Sequence, residues 1–278
     1  MDRIFVAELS LGKFTFLSKI IFSFFNKRRA VNTTPSGATA DILIHQRYAW
    51  RRGAFSSVCT DASIAAKNLI SSTSDFCRCY AGTNCANFSP IPADVYCTDF
   101  SAPTDYSLGE RFTKYSLLLN QTYVIGYTSN AWLPLAIKGN GVWIVTGKID
   151  LNIRPDGILN TSPVTSTLPV IYRTINVEHV HVIQMSDADS TDTLRCRWAT
   201  NNLPANTNTY DECASVCSPT LPDFSLHQDN CTLTYTLNKT NSYYAVALQI
   251  EDFYNSTITT PMSSVPIQFL FYGITPPT

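Results

Sequence analysis

The chain has 278 residues, a formal net charge of -1 and 15% charged side chains, against roughly 25% in ordinary soluble domains. Its 45% hydrophobic content is enough for two cores and excludes disorder over most of the length. With no long basic run, the chain has no general attraction for phosphate backbones or anionic lipid, so nucleic acid is excluded as an expected partner.

The N-terminal stretch "FTFLSKIIFSFFNKRRA" holds an apolar run from Phe14 to Phe25, interrupted by Lys19 and too short to span a bilayer. Glu8 precedes the run and Lys27, Arg28 and Arg29 follow it, the wrong order for a secretory signal. If it did span, the positive-inside rule would hold the remainder in the cytoplasm, against the cysteines and sequons described below. Residues 1–35 are therefore expected to be an atypical targeting segment or a misassigned start, and a membrane enters only through tethering in a longer product.

From about Thr39 the pattern is all-β: short alternating segments between turn residues, with no sustained helical period. "ADILIHQRYAW", "KYSLLL" and "QTYVIGY" read as strands, and "DASIAAKNLISS" as a short helix or a loop. In "WLPLAIKGNGVWIVTGKIDLNI" two apolar runs flank Gly139, Asn140 and Gly141, residues that tolerate positive φ, so a hairpin is expected there. "RPDGILNTSPVTSTLP" has the composition of an interdomain connection, with the boundary near Asn160. Beyond it, "PVIYRTINVEHVHVIQM", "TDTLRCRWAT", "CTLTYTL", "YYAVALQIEDF" and "SSVPIQFLF" suit an antiparallel sandwich. In "LRCRWA" alternation places Leu194, Cys196 and Trp198 on the core face. The expected architecture is two antiparallel β-sandwich domains, 36–158 and 163–274, the second immunoglobulin-like.

The 9 cysteines fall in two groups, Cys59, Cys77, Cys79, Cys85 and Cys97, then Cys196, Cys213, Cys217 and Cys231. Paired C-x2-C knuckles are missing, so disulfides in an oxidising compartment are preferred to zinc. Cys213–Cys217 and Cys196–Cys231 are the favoured pairs in the second group, and the odd number in the first leaves one thiol over. Glycosylation sequons begin at Asn32, Asn87, Asn120, Asn160, Asn230, Asn238 and Asn255, in keeping with an extracellular or ectodomain location.

The candidate chemistry is sparse. Asp187, Asp189 and Asp192 crowd the turn before one strand, and Glu251 with Asp252 closes another that ends at the same pole of a sandwich. Calcium needs six to eight oxygens, which these residues would contribute together; the plainer reading is a set of Asx-turns. His179 and His181 share a strand face but have no third ligand nearby. Arg47 and Arg51 alternate with Tyr48 and Trp50 in "HQRYAWRR", a strip able to meet sulphated glycans or sugars, or simply a strand with aromatic residues inward. Catalytic signatures such as a G-x-S-x-G elbow, an H-E-x-x-H helix, a P-loop or a dinucleotide fingerprint do not occur.

The series "SDADSTDTLRCRWAT … DECASVC … CTLTY … YYAVALQIEDF … PMSSVPIQFLF", with the upstream "GNGVWIVTGKIDLNIRPDGILNTSP", resembles a recurrent module of large uncharacterised extracellular proteins of invertebrate animals. More distantly it is similar to immunoglobulin-like domains of the cadherin-like and PKD kind. The resemblance covers about residues 40 to 274 and implies an extracellular or membrane-tethered sandwich pair with no established activity. It departs from the usual pattern at "SDADSTD", which lacks the glycine of a DPDGD-like turn. The expected function is non-catalytic adhesion, recognition or spacing, with no cofactor beyond possible calcium. An unknown protein or glycan would touch the loops 186–192 and 200–230. A carbohydrate-binding domain, requiring Trp50, Trp132 and Trp143 exposed in a row, is the alternative; a secreted hydrolase, requiring a carboxylate pair in a cleft, is the lesser one.

Overall fold

The computed structural model describes residues 22–276 apart from 32, 54–57, 72–73, 131, 138–140, 190, 203–206 and 218–222, and only the backbone of 22–29. The strands of the first half are β1 (Phe22–Ala30), β2 (Thr39–Arg51), β3 (Leu69–Ile70), β4 (Phe76–Gly82), β5 (Ile91–Pro92), β6 (Val95–Ser101), β7 (Tyr106–Leu118), β8 (Thr122–Ser129) and β9 (Trp143–Asp150). Those of the second are β10 (Val164–Ser166), β11 (Val170–Thr174), β12 (Glu178–Val182), β13 (Gln184–Ser186), β14 (Thr193–Trp198), β15 (Ser225–His227), β16 (Thr232–Thr236), β17 (Tyr243–Phe253) and β18 (Ser263–Ile274). The expected short helix is α1 (Asp61–Ala65), which the Thr60 and Ser63 side chains close at its N-terminus with a capping box.

A nine-stranded sheet runs β14-β17-β18-β1-β2-β7-β6-β3, with β11 also paired to β18. Over its first-half end, one face is covered by the four-stranded sheet β5-β4-β8-β9. Alternation in β2 sends Ile42, Ile44, Tyr48 and Trp50 into that layer, all buried, while Asp41, Arg47 and Arg51 point the other way. Over its second-half end, the opposite face is covered by β12-β16-β15, where Tyr235 stacks on Phe271 at 4.1 Å and His181 packs against Phe269 and Phe271. Cys196 in β14 is joined to Cys231 beside β16, an inter-sheet disulfide of the immunoglobulin-like kind.

The chain therefore contains two facing-sheet pairs, as expected, but they share their middle sheet. β17 and β18 are buried on both faces, which is why both read as nearly unbroken apolar runs. From the four-stranded side, β9 reaches over β18. There Lys148 N–H donates to Ser264 Oγ at 3.0 Å, Gln249 donates to the Thr146 carbonyl at 2.9 Å, and Gln268 donates to the Ile144 carbonyl at 2.8 Å.

Four expectations change. One core cluster extends from Ile42 to Phe271, so the boundary near Asn160 does not separate two cores. The supposed connection is itself buried at Arg154, Leu159, Asn160, Thr161 and Ser162, whereas a linker is normally exposed. Within the expected targeting segment, Phe22–Ala30 is a sheet strand that pairs with β2 along its length and touches β18 at Phe24↔Ile267. The second half is not purely antiparallel, because β11 runs parallel to β18. Among the described residues the hairpin expected at Gly139–Gly141 has no ladder between its two runs: β9 pairs with β8, while the run before it donates from Trp132 N–H to the Gly141 carbonyl at 3.0 Å and forms an isolated bridge, Leu135↔Tyr243. Pro134 lacks the N–H that a ladder there would need, and residues 138–140 lie outside the described ones.

Candidate functional site

The aspartate turn, the end of β17 and the buried connection meet at one place. Arg154, from "IRPDG", enters it with its side chain 2% exposed. Its guanidinium grips Asp192 in a two-pronged pair at 2.8 and 3.0 Å, reaches Asp189 at 2.8 Å and Asp156 at 3.1 Å, and lies 5.3 Å from the Tyr254 ring. Asp189 also accepts the Thr161 N–H at 2.6 Å, and Asn160 donates to Asp252 at 2.5 Å. Planar, permanently charged arginine suits this two-pronged contact in a way lysine would not. The connection is thus clamped to the second half by charge-assisted bonds.

The balance of charge is lopsided, with Asp156, Asp187, Asp189, Asp192 and Asp252 gathered around one guanidinium. Carboxylate oxygens of Asp187, Asp192 and Asp252 lie within 4.8 Å of one another. Asp187 Oδ1 accepts the Asp189 N–H at 3.0 Å, while its buried Oδ2 finds no hydrogen-bond partner among the described residues. Burial pushes the Asp187 carboxyl up to about 7, and the neighbouring carboxylates add to the shift. Asp252 is likewise pushed up to about 7 by burial, although bonds from Asn160 and Ser263 act in the opposite direction.

Of the five residues expected to hold calcium, Asp187, Asp192 and Asp252 form the close group, and Asp189 is taken up by Arg154 and Thr161. Glu251 is elsewhere, because adjacent strand residues point to opposite faces. It accepts from Arg197 at 2.9 Å and Thr207 at 2.5 Å, beside a two-pronged Arg197–Glu212 pair at 2.6 and 2.8 Å. Asn160 is buried and its amide nitrogen is engaged by Asp252, which leaves no free amide for a glycan. The sequon asparagines Asn87, Asn120, Asn230 and Asn238 are exposed, Asn255 is half-buried, and Asn32 lies outside the described residues.

The other candidates are placed as follows. Cysteines join as Cys59–Cys97, Cys79–Cys85, Cys196–Cys231 and Cys213–Cys217, leaving Cys77 as a buried thiol. Arg47 pairs with Glu110 at 3.0 Å and Arg51 with Asp105 at 2.7 Å, so neither cation of the strip stands alone. Trp50, Trp132 and Trp143 are buried, which removes the exposed tryptophan row a carbohydrate-binding domain was expected to show. His179 lies 2.8 Å from the Thr174 carbonyl, and His181 is half-buried against phenylalanine rings, with no metal-binding group formed around either among the described residues. The sequence reading passed over Arg154 and took Asn160 only as a sequon and a boundary; the available signal was that Arg154 is the one cation in the connection, upstream of a turn rich in aspartate.

Comparison with known proteins gives one match for the first half: residues 29–152 fit the family model described as "Integrin beta-like protein A-E, N-terminal". The match spans less than half of the chain and does not touch the aspartate cluster. No curated protein matches. Among solved structures, the two tandem V-type regions of VCBP3, a v-region-containing chitin binding protein, align over 89% of this chain and 99% of that one at 9% identity and a TM-score of 0.35, too low to carry any functional inference. The first half is thus similar to the N-terminal domain of integrin beta-like proteins, while the cadherin-like and PKD resemblance of the second half gains no support.

Proposed function

We propose that this chain is a non-catalytic extracellular or cell-surface module for adhesion or recognition. The observation that carries the reading is the similarity of residues 29–152 to the N-terminal domain of integrin beta-like proteins. The four disulfides agree with it, since such bonds persist in oxidising compartments. A shared middle sheet holds loops rigidly at both poles, which favours presentation of a surface over chemistry. The carboxylates that do come together face each other and Arg154, the arrangement of a structural clamp. The partner is a protein or a glycan.

Beads coated with the secreted full chain test this. They are expected to adhere to cells of the source organism above beads coated with a reduced and alkylated sample. Equal adhesion of both, or nine free thiols in protein taken from its native compartment, would remove the proposal.

Calcium is a second reading, now confined to Asp187, Asp192 and Asp252 and favoured by the partnerless Asp187 Oδ2. A bound ion would raise the melting temperature as calcium is added; no rise at millimolar calcium would exclude it.

A further inference from the structure

The shared sheet leaves one large surface without a covering layer. The four-stranded sheet lies on the inner face of β2-β7-β6-β3, and the three-stranded sheet lies on the opposite side but only over β17 and β18. Among the described residues no sheet covers the outer face around Phe112, Tyr96 and Leu69, whereas toward β10, where Arg47 Nη1 donates to Ser166 Oγ at 2.9 Å, Ala49 and Leu108 of the same face are buried. Register places Arg47, Glu110, Tyr96 and Leu69 in one row across the four strands, with His45 and Phe112 in the next row.

This face is unusually apolar for one in water: Phe112 is 55% exposed, Leu69 43% and Tyr96 42%. Phe112 is held in place, its ring stacked on that of buried His45 at 4.1 Å and 5° between planes, so its other side is presented to solvent as a fixed platform. Beside it, Glu110 is oriented by His45 at 3.0 Å and Arg47 at 3.0 Å, and the His45 bond holds its carboxyl below the usual glutamate range. The result is an ionised acceptor next to an aromatic platform, with the Tyr96 hydroxyl-bearing ring across the strand.

The permanent charges of this face are matched one to one, Lys114 with Asp41 at 2.7 Å, Arg47 with Glu110 at 3.0 Å and Arg51 with Asp105 at 2.7 Å. Such a face has no net charge to attract sulphated or acidic ligands, but its carboxylate and cations remain available to hydroxyl groups. No sequon falls on β2, β3, β6 or β7, so the chain's own glycans do not arise from this face. Platform, oriented acceptor and cancelled charge together match a neutral pyranose, whose C–H face stacks on a ring while its hydroxyls bond at the edge.

We infer that the outer face of β2-β7-β6-β3 binds a neutral sugar, with Phe112 as the stacking platform, Tyr96 as its second wall and Glu110 as the hydroxyl acceptor. The inference rests on the recognition reading above and gives it a ligand class. The test uses the full chain and calorimetric titration with methyl glycosides of glucose, mannose, galactose and N-acetylglucosamine and with their linear trisaccharides. At least one trisaccharide is expected to bind, with Phe112→Ala weakening it by about tenfold or more, Tyr96→Ala weakening it several-fold, and Phe112→Trp restoring it. Both substituted positions are exposed, and an unchanged melting temperature establishes that the variants fold. Absence of binding across the panel, equal binding by Phe112→Ala, or tighter binding of heparin fragments than of any neutral sugar would overturn the inference. So would a dimer in sedimentation that Phe112→Ala dissolves, since a second copy would then be the occupant. Bead adhesion that survives when sugar binding is absent would sink this inference alone, whereas loss of adhesion in the unmodified chain would sink the broader proposal.

Discussion

Replacing Asp187 by Asn should make the protein more stable at pH 8 and leave it nearly unchanged at pH 4. Asp187 Oδ1 accepts the Asp189 N–H, a bond that the asparagine carbonyl oxygen can keep. Its Oδ2 is buried without a partner among the described residues, and the carboxyl lies beside those of Asp192 and Asp252; an amide there carries no charge to repel them. The carboxyl is pushed up to about 7 in the folded chain, against about 3.9 in an unfolded one. Because the folded-state value is raised, the folded chain holds a proton that the unfolded chain has already lost between these two pH values. Asp187 therefore costs only about 0.5 kcal/mol at pH 4, where the unfolded carboxyl is half ionised, and its penalty grows as the pH rises to about 7, then levels off. Three pKa units correspond to a ceiling of about 4 kcal/mol. Asp187 is only partly shielded from water, so about 1–2 kcal/mol is expected at pH 8 after screening. Urea unfolding in EDTA at pH 4, 6 and 8 measures the difference. Asp252 shifts in the same direction, so the variant should keep part of the pH slope. A variant less stable than the parent at pH 8, or a difference that does not change with pH, would refute the reasoning.

Arg154→Met should destabilise the chain by about 3–5 kcal/mol, read by urea unfolding, because it leaves Asp189 and Asp192 buried without their cation. Joint replacement of Cys196 and Cys231 by Ala should cost about 2–4 kcal/mol in the same assay, through loss of a bond between facing sheets. Glycopeptide mapping of protein from a eukaryotic secretory host should find Asn160 unmodified and exposed asparagines such as Asn87 and Asn238 carrying glycans, since only the former has its amide buried against Asp252. Gly109→Ala should lower the melting temperature, because a Cβ there would stand 2.5 Å from Val95 Cγ2 and 2.8 Å from the Tyr96 carbonyl oxygen.

Local properties were legible where a residue's partners are its chain neighbours. Period-two burial over Ala40–Ile44 of β2, the capped turn of α1 and the tight Cys213–Cys217 loop follow from nearest-neighbour geometry, whereas in β14 only Cys196 of the expected core-face trio is buried and Leu194 and Trp198 are half-buried. The inward placement of Tyr48 and Trp50 follows from the same alternation. The aspartate turn was visible as an acidic cluster, yet its cation was not, because Arg154 precedes Asp189 by a long stretch of chain and only the fold brings them to 2.8 Å. Glu251 was drawn into that cluster by sequence adjacency to Asp252, although a strand sends the two to opposite faces.

By itself, then, the sequence determined the class: alternating burial and paired cysteines specify sheets facing each other and joined by disulfides. Only the tertiary structure decided that the two halves share a middle sheet. Composition marks "RPDGILNTSP" as a linker, but Arg154 and Asn160 find buried acidic partners there and hold it in place. In the same way, apolar runs in β17 and β18 do not reveal whether one face or both is covered, since burial on two sides depends on layers supplied from distant parts of the chain. The open outer face beside them is equally a product of that arrangement: Phe112 reads as any strand phenylalanine until the layer that would have covered it is found over β17 and β18 instead.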